Sequence, residues 1–151
     1  NLPALQAALL SMGQELMQPP NVKGWDGGMK WINAATLYAR YNAVRPLLVG
    51  AGGDAGDADR SDYPTRRVRH AQPPYDPLPA LQQRALTSPA AVVDFYADLL
   101  LAVPLHEDKR RTLVDYLAGP DGDFSLDRRD TAARVRETLH LLMSTPEYQM
   151  H

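Results

Sequence analysis

Apolar residues in this chain return at steps of three and four, and a proline or glycine cuts each run before it grows long. That combination confines the fold to short helices. Leu5, Leu9, Met12 and Leu16, with Ala8 beside them, make one stripe from about Pro3 to Met17. Pro3 suits a first helical turn, and Pro19-Pro20 ends the run. Gly13 falls inside this helix, where it costs ~1 kcal/mol relative to alanine, so another backbone is expected to pack closely there. In the next helix Asn33 is placed to cap, and Ile32 lies five positions before Leu37 as in a hydrophobic staple. Leu37, Tyr38, Tyr41, Val44 and Leu48 continue its face, with Arg40 and Arg45 mainly on another side. Pro46 is predicted to kink or end the helix near Arg45.

The second half repeats the pattern more cleanly. Ser88-Pro89 reads as cap and first helical residue, followed by a broad apolar face of Val92, Phe95, Tyr96, Leu99, Leu100 and Val103. Pro104 breaks that helix. Glu107-Asp108 before Lys109-Arg110-Arg111 places acids early and bases later in the next one, as the helix dipole favours. Leu113, Val114 and Leu117 face inward there, and Gly119-Pro120 stops it. A last helix, capped by Asp127 or Asp130, presents Ala132, Val135, Leu139 and Leu142 and ends before Thr145-Pro146. With no convincing strand, the expectation is an all-α fold, an irregular bundle of about five helices.

A chain of 151 residues is long enough for one cored domain, so 1–151 is read as a single helical domain. Positions 50–79 interrupt it with Gly-Ala-Gly-Gly-Asp, then Arg66-Arg67-Val68-Arg69-His70, then a proline-rich run. The segment has no period and is expected to be an exposed linker, its bases matched by Asp54, Asp57, Asp59 and Asp62 upstream.

The net charge of −2 offers no global basic field, so nucleic acid is not an expected partner. No apolar run approaches the roughly 20 residues that span a bilayer, so no membrane span is expected. The first residues show no basic segment followed by an apolar export region. Cysteine is absent, which removes disulfides, thiolate nucleophiles and cysteine metal sites. The histidines at 70, 106, 140 and 151 lack metal spacing. Asp121, Asp123, Ser125 and Asp127 alternate as in a calcium loop, but Leu126 stands where glycine belongs and Ala132 where the bidentate acid belongs. A capping turn is the better reading. No cofactor and no metal site are expected.

One stretch stands apart. Pro19-Pro20-Asn21-Val22-Lys23-Gly24-Trp25-Asp26-Gly27-Gly28-Met29-Lys30-Trp31 holds both tryptophans, and its glycines, prolines, Asn21 and Asp26 specify a shaped loop. From Met12 to Arg40 the sequence resembles a bacterial family catalogued as domain of unknown function 1800. The likeness continues through Ala90 to Leu117 and through Leu141-Leu142-Met143-Ser144-Thr145-Pro146-Glu147-Tyr148-Gln149. It is similar to the C-terminal part of that family, which implies a fragment of a longer, largely helical, exported protein, periplasmic or extracellular. Family genes often adjoin those of exported sulfatase- or phosphatase-like proteins, which implies a protein partner of that kind. The resemblance supplies no catalytic residue.

The loop therefore carries the candidate site: Asn21, Lys23, Trp25, Asp26 and Trp31. Its indoles either form a stacking platform with convergent polar groups or fold back as a plug between the first two helices, and the plug is favoured. Lys23 and Asp26 are then the side chains left to meet a partner. The expected function is a non-catalytic binding or assembly module. The alternative is part of a hydrolytic or carbohydrate-acting enzyme, with Asp26 or Glu15 as a lone acid or base and the remaining catalytic groups in a missing N-terminal region.

Overall fold

The structure, a computed structural model, describes residues 2–13, 17–19, 21–24, 33–50 and 74–149. Among these it is all-α, with seven helices and no strand. Two more helices than expected are present, both short: Leu78–Gln83 and Pro146–Gln149. The chain divides into two compact units, 1–75 and 76–151.

In the first unit α1 (Leu2–Ser11) packs on α2 (Ala34–Val49). The helix α1 is shorter than its apolar stripe. It ends in a turn where the Gly13 N–H donates to the Leu10 carbonyl and Gly13 takes φ +81. Gly13 is thus a terminator in the left-handed region, not an interior weak point. Among the described residues, a Cβ there would meet Thr36 Cγ2 of α2 at 3.6 Å, which is ordinary packing. The α2 start is as expected. Asn33 Oδ1 accepts from the Ala35 and Thr36 N–H groups, both at 3.0 Å, and Thr36 Oγ1 accepts from the Asn33 N–H at 2.9 Å. The staple partner Ile32 lies outside the described residues.

Pro46 does not end α2. The helix runs one more turn to Val49, where the Gly50 N–H caps onto the Pro46 carbonyl. A proline forfeits a single donor near a helix end, and burial of Val44 and Leu48 on either side of it anchors the last turn.

The second unit begins with α3 (Leu78–Gln83), started by Pro79 in its first turn and by the Asp76 carboxylate, which accepts from the Leu78 N–H. The segment read as linker therefore ends in helix. Leu81 is fully buried, and the Arg84 guanidinium lies over the Phe95 ring at 4.9 Å. Three longer helices carry the core: α4 (Pro89–Leu100), α5 (Glu107–Ala118) and α6 (Thr131–Met143), each packed on the other two. Val92, Val93 and Tyr96 of α4 meet Leu113 and Leu117 of α5 and Val135, Leu139 and Leu142 of α6 in the buried interior. The stripe of α4 is narrower than expected. It centres on Val93 and Tyr96, which leaves Leu99 on the edge and 64% exposed.

Asp130 precedes α6 but makes no side-chain cap. It is already in the right-handed helical conformation, and the turn before the helix is closed by the Thr131 N–H donating to the Arg128 carbonyl. The carboxylate is used elsewhere, on Arg128 and Arg134. Finally α7 (Pro146–Gln149) folds back on α6, its Gln149 Nε2 donating to the Met143 carbonyl at 2.6 Å.

Candidate functional site

Only the entry of the tryptophan loop is described. There Asn21 Oδ1 accepts from the Lys23 N–H at 2.8 Å, and the Asn21 carbonyl accepts from the Gly24 N–H at 3.0 Å. Both bonds close a single tight turn, as an asparagine followed by a glycine at φ +89 allows. Asn21 is spent on its own backbone, while Val22 and Lys23 stand out into solvent. Among the described residues nothing lies within 4 Å of a Cβ built on Gly24, and its backbone angle favours glycine. Trp25, Asp26 and Trp31, like Glu15, lie outside the described residues, so the grouping of the five expected residues is not assessed.

The second unit contains a hollow that the sequence reading did not anticipate. It lies on the outer side of α5 and α6, has a volume of about 420 Å³ and is lined by Asp115, Tyr116, Gly119, Pro120, Arg134 and Glu137. The Tyr116 hydroxyl donates to Glu137 Oε2 at 2.7 Å, and that bond to a carboxylate pushes the Tyr116 pKa up. Arg134 reaches under the floor. Its Nη1 donates to the Leu117 and Ala118 carbonyls, at 3.5 and 3.4 Å, and its Nε lies 3.5 Å from Asp130 Oδ2. These are the last carbonyls of α5, which lack helical partners of their own. Gly119 makes the approach possible: it has φ +75, and a Cβ there would overlap the guanidinium.

A second hollow of about 270 Å³ follows along the same pair of helices, with Thr112, Leu113 and Leu141 among its lining. Lys109 borders it but is held from below, its Nζ donating to both Glu147 oxygens at 2.7 and 2.8 Å. That ammonium keeps the Glu147 carboxyl below its usual range. Behind the pair, Arg110 grips Asp94 of α4 through two bonds of 2.6 and 2.7 Å, and the guanidinium likewise holds the Asp94 carboxyl low. In the loop before α6, Asp123 is paired with Arg128 at 3.0 Å, and the Asp130 carboxyl is held low chiefly by its bond to Arg128. Of the alternating acids, Asp123 thus serves as a salt-bridge partner. Among the described residues no three metal-ligating side chains gather, and no helix is long and apolar enough to cross a membrane.

The outer residues carried a faint signal. Tyr116 interrupts the 113, 114, 117 stripe with a large aromatic, and Leu141 precedes rather than joins the 135, 139, 142 stripe.

The family profile described as protein of unknown function (DUF1800) matches residues 1–150. The chain belongs to that family. No curated protein and no solved structure matches it.

Proposed function

We propose that the chain is a non-catalytic helical module of an exported bacterial protein, working in the periplasm or outside the cell by binding another exported protein. A sulfatase- or phosphatase-like protein encoded beside it is the first partner to test. The observation that supports this reading is how the second unit uses its carboxylates. Asp94, Asp130 and Glu147 are each displaced downward by a cationic partner, which keeps them ionised at neutral pH. A general acid or base works best with a pKa near the operating pH, and these three have been moved away from it. Asp94 and Glu147 brace one helix against another, and Asp130 ties the start of α6 to Arg128 and Arg134. In the first unit the Asn21–Gly24 turn presents Val22 and Lys23, and the loop continues into Trp25, Asp26 and Trp31 as the other candidate contact surface.

The experiment is co-purification of the full-length protein with its tagged neighbour, followed by an assay of each alone and together for sulfatase, phosphatase and glycosidase activity. A stable complex in which this protein contributes no activity of its own is the expected result. Hydrolysis by this protein alone would favour the enzyme alternative.

A further inference from the structure

We infer that the outer seam of α5 and α6 docks an amphipathic helix of a partner protein, one that carries lysines or arginines beside its apolar stripe. This rests on the binding-module reading and names its surface. Leu113 and Tyr116 are one turn apart on α5, as are Glu137 and Leu141 on α6, so the two hollows form one continuous line. From Asp108 to Pro120 that line runs roughly 18 Å, the length of about twelve helical residues. Its apolar contacts stay open: Tyr116 is 44% and Leu141 42% exposed.

Charge selects the occupant. Both cations along the seam are already committed, Lys109 to Glu147 and Arg134 to Asp130 and the α5 carbonyls. Arg111 lines neither hollow. The acids differ. Glu137 is held by a neutral hydroxyl, and Asp115 is exposed on the rim of the same hollow. Asp108 adds a third carboxylate at the other end, 3.6 Å from His106 Nδ1. A helix laid in this seam meets leucine and tyrosine below and carboxylates on its flanks, which suits an apolar and basic side and repels an acidic one.

The test uses a fluorescein-labelled amphipathic peptide of leucine and lysine, its glutamate counterpart, and the intact chain. Saturable binding of the lysine peptide is expected, with the glutamate peptide at least ten-fold weaker. Leu141→Arg, Glu137→Lys and Asp115→Lys should each weaken the lysine peptide ten-fold or more, while Asp98→Lys, on exposed α4 surface, should change it less than two-fold. Equal loss with Asp98→Lys, equal binding of the glutamate peptide, or no saturable binding would overturn the proposal. In the co-purification above, loss of the neighbour with Leu141→Arg supports the seam. Undiminished capture by that variant overturns the seam and leaves the binding-module reading standing.

Discussion

The two sides of the α5–α6 pair are built from adjacent residues and do opposite work. Leu117 and Leu142 are buried, whereas Tyr116 and Leu141, each one position earlier, stand in solvent. One residue is about 100° of rotation on a helix, enough to move a side chain from the core to the surface. The difference teaches that role here follows the angle around the axis, not residue type, since leucine occupies both sides.

The largest effect should come from the inner side. Leu117→Ala should cost about 2–5 kcal/mol, as large-to-small core changes do, while Tyr116→Ala should stay near 0.5 kcal/mol. Equal losses in urea unfolding would erase the contrast between the faces. Next comes the glycine under Arg134. Gly119→Ala forces an L-residue to φ +75 and displaces the guanidinium from the α5 carbonyls, for at least about 1–2 kcal/mol. Gly122→Ala, with φ +65 and no described residue within 4 Å of the new Cβ, should cost less. If the two alanines cost the same, Arg134 contributes nothing to the floor.

Acid should act on the braces. A carboxyl depressed in the folded state stabilises above its unfolded pKa and loses that contribution as pH falls through the folded value. Asp94 and Glu147 are both depressed, so stability should be level above about pH 5 and decline below about pH 4. Glu147→Gln should remove part of that decline, at a cost of at most about 1 kcal/mol at pH 7, because Lys109 is 41% exposed and water screens the pair. The smallest effect belongs to the outer side again. Tyr116→Phe should leave stability within about 0.5 kcal/mol. In the unsubstituted protein Tyr116 should ionise above the usual tyrosine range, and Glu137→Gln should bring it back down, read by ultraviolet titration.

Much of the fold was legible because local chemistry decides it. The Asn33 and Ser88 caps, the acids opening α5, and the buried positions 113, 117, 135, 139 and 142 all depend on residues within a turn or two. Where reading failed, a longer-range partner had intervened. Asp130 does not cap because Arg128 and Arg134 hold its carboxylate, and Pro46 does not end α2 because burial of Leu48 holds the last turn. Short α3 and α7 lack enough residues to show a period; they exist because Leu81 and Gln149 are buried. The outer seam was illegible for a related reason: sequence does not show which helix stands beside which, and Tyr116 and Glu137 are 21 positions apart.

The Lys109–Glu147 pair and the Arg134 contact sit near opposite ends of α5, separated along it by roughly 12 Å. Two fixings that far apart oppose what one would permit, namely pivoting of α5 against the chain that returns beside it. The gap beside α5 is thereby tied at both ends, like a slot rather than a jaw hinged at one. A helix docked in the proposed seam would spend little of its affinity on ordering the pair that forms it.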